Sequence, residues 1–315
     1  MDTMMEEYLK INSIRKTYGD KVAVDDLSLT VPAGSIYGII GPNGAGKTTT
    51  IRMIMDIIAP DSGEVLIEGK KPDSDFKNIV GYLPEERGLH KKMTLEEVIV
   101  FFAELKGARR SQILSNIDPW LKRMSLAEYR NRKVEELSKG MQQKLQFVTT
   151  MIHKPKLIIL DELFSGLDPI NIELIKNILL EEKRRGTTIL FSTHVMEQAE
   201  KLCDFICLIN KGQKVLDGRM AEIKTRFGTD TIQVEMEGDG AFAADIPGVE
   251  SFTEFNNYIE LKLGDNADTQ MILKKLSEKV KISRFEIVEP SLYNIFIDVA
   301  RVDPTELNAG EVTNE

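Results

Sequence analysis

Gly41, Pro42, Asn43, Gly44, Ala45, Gly46, Lys47, Thr48 and Thr49 follow one another between an apolar run at residues 36–40 and a helix-like run that begins near Lys47. Residues of these types in this order make a phosphate cradle. Glycines at 41, 44 and 46 permit backbone conformations that a Cβ forbids, so successive N–H groups can turn toward one anion at the start of a helix. Lys47 is placed to reach the β- and γ-phosphates of a nucleotide, and the Thr48 hydroxyl to ligate Mg²⁺. Metal-assisted phosphoryl chemistry needs two further groups, a carboxylate near the ion and a base that activates water. Asp161 and Glu162 follow the short apolar run 157–160 and supply one of each, Asp161 holding the metal through its water shell and Glu162 acting as the base. His194 closes the next such run, 188–191, after Ser192 and Thr193. An Asp-Glu pair at a strand end, taken alone, reads as solvated surface. The cradle upstream and the polar end of the next strand weigh this pair toward function.

The elements that must position these groups can be read from hydrophobic period and turn punctuation. Residues 8–66 run as short alternating or apolar stretches broken by Gly19-Asp20 and Pro32-Ala33-Gly34, which predicts an antiparallel β layer flanking the cradle. Ile51, Ile54, Met55 and Ile58 lie at helical spacing and predict a helix over 47–58. Residues 79–83 predict a buried strand, and a helix-rich block follows from Thr94 to about Lys154. That block opens with the capping-box pair Thr94 and Glu97, and Val98, Phe101, Phe102 and Leu105 are its expected apolar face. Trp120 reads as a packing anchor. Ile172, Ile175, Ile178 and Leu179 place a helix over 171–184 between the strand runs 157–160 and 188–191. Strand, helix, strand implies a right-handed crossover and parallel strands, whose carboxyl ends share one edge with the cradle. Lys47, Asp161, Glu162 and His194 should therefore converge. A hairpin over 205–216 closes this unit, and Asp217-Gly218 marks its boundary. Beyond it, alternation at 231–236 and 258–263 predicts strands, 271–280 an amphipathic helix, and 303–315 a disordered tail.

Composition narrows the possibilities. A length of 315 residues, with 42% apolar and 29% charged, suits a globular protein of about two domains. No stretch approaches the roughly 18 uninterrupted apolar residues of a bilayer span. The first seven residues are acidic where a signal peptide is basic and then apolar, so a cytoplasmic location is expected. A net charge of −9 without a dense Lys/Arg block argues against nucleic acid as a partner. Cys203 and Cys207 read as buried reduced thiols, and His90, His153 and His194 show no metal-ligand spacing with them.

From about Tyr8 to Gly218 the chain resembles the nucleotide-binding subunit of ATP-binding cassette (ABC) transporters. Residues 41–49 are similar to the family's Walker A loop, 157–162 to its Walker B strand, Ser165 to Asp168 to its D-loop, and His194 to its switch histidine. Leu137-Ser-Lys-Gly-Met-Gln-Gln-Lys144 resembles the signature sequence, and Tyr18 matches the aromatic that stacks on adenine. The resemblance implies an α/β P-loop NTPase cassette over residues 1–218, with a mixed sheet core, an antiparallel β layer and a helical subdomain at about 88–154. It also implies ATP and Mg²⁺ as ligands. In this family's architecture Ser138 and Gly140 complete the site of a second ATPase subunit, the same chain or a paralogue, so ATP is sandwiched in a head-to-tail dimer. A separate integral-membrane permease would tether the pair to the inner face of the membrane. Glu85 stands where the family usually has a glutamine that offers an oxygen to Mg²⁺, and a carboxylate can do the same. Leu163 replaces a common proline, and Lys139 and Met141 fall inside the signature. Residues 219–302 resemble a small α/β C-terminal domain of some bacterial exporter ATPases, through Glu289-Pro-Ser-Leu-Tyr-Asn-Ile-Phe296. Dimer contact, regulation or added stability is its implied work. The expected function is ATP hydrolysis that powers an exporter through nucleotide-driven dimerisation. The alternative is a soluble, non-transport ABC ATPase of the DNA-repair or ribosome-associated type. Those carry long coiled coils between cradle and signature, or two cassettes with a basic linker. Here fewer than 100 residues separate Thr49 from Leu137, in a single acidic cassette.

Overall fold

A computed structural model of the protein describes residues 6–73, 75–86, 88–164, 166–228, 231–264 and 267–300. The expectations for Ser165 and for the tail 303–315 lie outside the described residues. The chain divides at Asp217/Gly218 into two compact units.

The first unit opens with β1 (Glu7–Tyr18), β2 (Lys21–Pro32), β3 (Ile36–Ile40), α1 (Lys47–Ile54) and β4 (Ser62–Ile67). Strands β2, β1 and β4 pair antiparallel in that order, and their inward residues, among them Leu9, Ile11, Val24 and Leu27, join a core that includes Ile51 and Ile54 of α1. Helix α1 stops at Ile54, short of the expected Ile58, because Asp56 adopts a left-handed φ of 53° that no helix continues through.

Next come α2 (Phe76–Ile79), β5 (Val80–Leu83), α3 (Leu95–Leu105), α4 (Arg110–Arg123) and α5 (Lys139–Met151). Thr94 and Glu97 form the reciprocal capping box at the start of α3. The buried stripe of α3 differs from the one expected. It consists of Leu95, Val98, Ile99, Val100 and Ala103, while Leu105 is 62% exposed. Phe101 and Phe102 instead pack with the His90 ring, at centroid distances of 5.1 and 6.2 Å. Trp120 of α4 packs edge-on against Phe147 of α5 at 6.4 Å.

The unit is completed by β6 (Leu157–Asp161), α6 (Pro169–Arg184), β7 (Thr188–Thr193), α7 (Met196–Leu202), β8 (Phe205–Asn210) and β9 (Gln213–Arg219). Its central sheet runs β5-β6-β7-β3-β8-β9, and the first five strands are parallel. Every residue of β3, β6 and β7 is buried, as befits parallel strands covered on both faces. Register brings the strand ends level: Asp161 pairs with Ser192, and Thr193 pairs with Ile40, the residue before the cradle. Cys203 and Cys207 are buried and free.

The second unit holds α8 (Met220–Arg226), β10 (Thr231–Glu237), β11 (Val249–Glu254), β12 (Ile259–Leu263), α9 (Thr269–Ser277), β13 (Lys281–Val288) and α10 (Leu292–Ala300). Its antiparallel sheet is ordered β11-β12-β10-β13, and Ile232, Val234, Ile259 and Leu261 share a core with Ile272 and Leu276 of α9. Among the described residues no helix is long and apolar enough to cross a membrane.

Candidate active site

The loop from Gly41 to Gly46 joins β3 to the N-terminus of α1, and close backbone approach dictates its glycines. A Cβ on Gly41 would lie 2.1 Å from the Ile209 carbonyl oxygen. Gly46, at φ 108°, caps α1, and a Cβ there would lie 2.4 Å from the Ala23 oxygen. The Gly41 N–H donates to Thr193 O at 3.3 Å, which ties the cradle to the end of β7. The loop thus leads directly into a helix N-terminus, the arrangement that favours an anion.

Lys47, the first residue of α1, is only 5% exposed. Its ammonium donates to Gly41 O at 2.8 Å and Pro42 O at 3.1 Å, and lies 3.3 Å from Glu162 Oε1. Glu162 follows β6 with a left-handed φ of 50°, which turns it out of the strand direction. Its Oε2 accepts a hydrogen bond from His194 Nδ1 at 2.9 Å, the tautomer following from the carboxylate's acceptor character. Glu162 is therefore held between an ammonium and an imidazole. Burial pushes its carboxyl up, but the His194 hydrogen bond and the Lys47 charge outweigh burial, and the net direction is down.

Asp161 behaves oppositely. It is 1% exposed, and burial raises its carboxyl above the usual value despite hydroxyl donors from Ser192 and Thr48. Both hydroxyls reach Oδ1, Thr48 at 3.3 Å and Ser192 closer. Oδ2 is buried without a hydrogen-bond partner. A buried carboxylate oxygen with no donor, beside a hydroxyl whose proton is already given away and whose lone pairs stay available, fits a hard divalent cation. Among the described residues no cluster of three or more His, Cys, Asp or Glu side chains could hold a metal alone. Mg²⁺ does not need one, since it takes one or two carboxylates and completes its shell with water and phosphate.

Four residues from two strand ends and one helix start are thus brought together: Lys47, Asp161, Glu162 and His194, with Thr48 beside Asp161. Pro42, Asn43, Gly44, Ala45 and Thr49 belong to the same loop and first turn. The other predicted residues stand apart by their contacts. Ser138 is the N-cap of α5 and accepts the Met141 N–H at 3.3 Å; Gly140 lies in the first turn. Among the described residues no hydrogen bond of either one reaches the cradle. Glu85, exposed in the segment after β5, is tied to neither Thr48 nor Asp161 by a hydrogen bond or ion pair. Tyr18 ends β1 and is 49% exposed, with the Lys16 ammonium 5.9 Å from its ring centroid. Lys16 and Thr17 in turn clamp Asp61, whose carboxyl is pulled down to about 2 by those hydrogen bonds.

Sequence reasoning gave no role to Ser192 or Gln143. Ser192 touches both acidic residues, accepting the Glu162 N–H at 3.2 Å. Gln143 of α5 donates from Nε2 to Leu163 O at 2.6 Å and so braces the segment after Glu162. The available signal was position two residues before His194 for the former and membership of the 137–144 segment for the latter.

Comparison with known proteins agrees with this geometry. The ABC transporter family matches residues 24–165, and the C-terminal domain of DrrA1-3-like ATP-binding proteins matches residues 218–300. The uncharacterized ABC transporter ATP-binding protein YhaQ of Bacillus subtilis strain 168 is 42% identical over 290 residues, covering 92% of this chain and 97% of that protein. Nod factor export ATP-binding protein I of Paraburkholderia xenovorans strain LB400 is 36% identical over 235 residues, covering 73% and 77%. A solved ATP-binding subunit of an ABC transporter superposes with a TM-score of 0.66 at 30% identity, covering 70% of this chain and 93% of that one. With a P-loop cassette fold, strand-end carboxylates beside its cradle and a relative matched over nearly its whole length, the chain belongs to the ABC transporter ATP-binding proteins.

Proposed function

We propose that this protein hydrolyses MgATP as the motor subunit of a membrane exporter, paired with a second ATPase subunit and a separate permease. The observation that carries the reading is Glu162, turned out of its strand and fixed between His194 and Lys47 beside a phosphate cradle. Thr48 and Asp161 would hold Mg²⁺, which neutralises charge that builds on the transferring phosphoryl group. Cradle N–H groups bind the phosphates. Lys47 exchanges its own loop's carbonyls and Glu162 for phosphate oxygens, and the Glu162 carboxylate so released accepts the proton of the attacking water. His194 keeps Glu162 oriented and contacts the γ-phosphate side of the site. Ser138 and Gly140, at the exposed N-terminus of α5, contact nucleotide held by the other subunit. Loss of the γ-phosphate removes that bridge and loosens the pair. Export is supported by the Nod factor export relative. Glu85, on the segment that faces the permease in this family, contributes an oxygen near the metal, and Tyr18 stacks on the adenine.

Replacing Glu162 by Gln keeps the shape and removes the base. Hydrolysis should fall about 10²-fold or more while ATP still binds, and the variant should accumulate as an ATP-dependent dimer on a sizing column. Wild-type turnover in Glu162→Gln defeats this reading.

A further inference from the structure

Ser192 is wholly buried at the end of β7, opposite Asp161 in the parallel ladder. Its hydroxyl donates to Asp161 Oδ1 and accepts the Glu162 N–H at 3.2 Å. One hydroxyl can do both, since it has a single donor and two acceptor lone pairs. Resting on the hydrolytic reading above, we propose that Ser192 is the positioning residue that assigns the two acidic neighbours their separate tasks, Asp161 to the metal and Glu162 to water.

Two features of the geometry lead there. The carboxylate of Asp161 has two chemically equal oxygens, and a half-turn of its side chain would exchange them. Ser192 and Thr48 both donate to Oδ1, which breaks that symmetry and leaves Oδ2, buried and without a donor, to face a cation. The β6–β7 ladder ends at Asp161 and Ser192, so the next N–H, that of Glu162, has no strand rung to join. The Ser192 hydroxyl takes its place and holds Glu162 at the left-handed φ that aims its side chain toward His194 and Lys47. Without the hydroxyl, the Glu162 N–H loses its partner and Asp161 loses its closer donor.

The test is Mg²⁺-dependent binding of a fluorescent ATP analogue to the full-length protein. Ser192→Ala should bind the analogue in EDTA within about twofold of wild type, while its Mg²⁺ half-saturation rises about tenfold, the scale of one hydrogen bond to a charged group. Its kcat at saturating Mg²⁺ should also fall, because Glu162 is no longer anchored. Ser192→Cys, similar in shape but a weak donor and acceptor, should lie between, and it carries the comparison if Ser192→Ala does not fold. A serine that only supports the fold would lower the unfolding midpoint and leave the Mg²⁺ half-saturation of the folded protein unmoved, and that result overturns the proposal. Asp161→Asn in the same assay separates the two levels. If it keeps wild-type Mg²⁺ dependence, the metal reading of Asp161 fails; if it loses that dependence while Ser192→Ala does not, the role of Ser192 alone fails.

Discussion

His153 lies two residues beyond α5, beside a cavity of about 100 Å³ lined by Tyr82, Pro84, Leu89, Phe102 and Gln146 among others. Its Nε2 meets Val80 O at 3.3 Å, where the ring can donate only if that nitrogen carries a proton. Burial, with a smaller push from the Lys106 charge, lowers its pKa from 6.5 to about 4, and the Val80 carbonyl recovers only part of the shift. The unfolded chain therefore takes up a proton near pH 6.5 that the folded protein refuses until about pH 4. Stability from this residue is complete above pH 6.5, declines as pH falls through the window, and is fully lost below about pH 4. At about 1.4 kcal/mol per unit the shift sets a ceiling of about 3 kcal/mol, and partial solvent access brings the expected loss to between about 1 and 3 kcal/mol. The perturbation is His153→Gln, which keeps a donor for Val80 O and does not titrate. Urea unfolding followed by fluorescence of Trp120, the chain's single tryptophan and a reporter of the first unit, should be compared at pH 7.5 and 4.5. Carboxylates that titrate in both proteins cancel in the difference. Wild type should lose about 1 to 3 kcal/mol more than His153→Gln over that interval. Equal losses refute the reasoning.

On the proposed pairing, in which each site takes Ser138 and Gly140 from another subunit, specific ATPase activity should rise with protein concentration through the range where dimers form; constant activity at concentrations shown to be monomeric refutes this. Glu85→Gln should leave basal ATPase within a few fold, since an amide also offers Mg²⁺ an oxygen. Glu85→Ala should shift the Mg²⁺ titration of ATPase, and a curve identical to wild type removes Glu85 from the metal's surroundings. Gly46→Ala imposes a left-handed alanine and a contact with Ala23 O, so it should cost at least about tenfold in ATP affinity in a filter or fluorescence assay, and unchanged affinity contradicts the cradle geometry.

The parts of this chain that were legible are those where a local pattern and a global constraint coincide. Strands β3, β6 and β7 are short and carry apolar runs, β6 and β7 ending in polar residues and β3 running into the glycine loop, so both the parallel sheet and the edge that holds the site follow from the letters alone. Helix α3 was legible as a helix, with its capping box, but not in its orientation. Leu95–Leu105 contains apolar residues on more than one face, and tertiary packing chose Leu95, Ile99 and Ala103 over Leu105. In the second unit, β10 and β12 alternate cleanly because one of their faces meets α9. Strand β13 is an outer strand whose residues are all exposed or half-buried, so Arg284 and Glu286 interleave with apolar residues and blur the period. Helix α10 is short, and its cap is legible after the fact: Ser291, between Pro290 and Leu292, accepts the Asn294 N–H at 3.3 Å. Within the site, the glycine loop and the acidic and histidine residues that end or follow β6 and β7 could be named in advance, whereas Ser192, inside the end of β7, could not. The left-handed turn at Glu162 and the double contact of Ser192 depend on where a neighbouring strand stops, which no spacing within β6 encodes.

The divergence of Asp161 and Glu162 is the part of this arrangement that bears most on mechanism. The two carboxyls are adjacent and largely withdrawn from solvent, yet burial prevails at Asp161, while the His194 hydrogen bond and the Lys47 charge prevail at Glu162. A cation at Asp161 Oδ2 would supply the positive charge that burial denies it, so metal binding and ionisation of Asp161 reinforce each other. For Glu162 the same logic runs in reverse. The Lys47 ammonium that keeps it ionised also makes it a poor proton acceptor, because a carboxylate that already satisfies a nearby cation gains little by taking up a proton. Phosphate competes for that ammonium with more charge and more acceptor oxygens than Glu162 offers. When Lys47 turns to a nucleotide, Glu162 keeps its orientation through His194 but loses the charge that depressed its basicity. In this proposed sequence the residue that binds the γ-phosphate is also the one that restrains the base, and the base gains strength only once a phosphoryl group is there to be attacked.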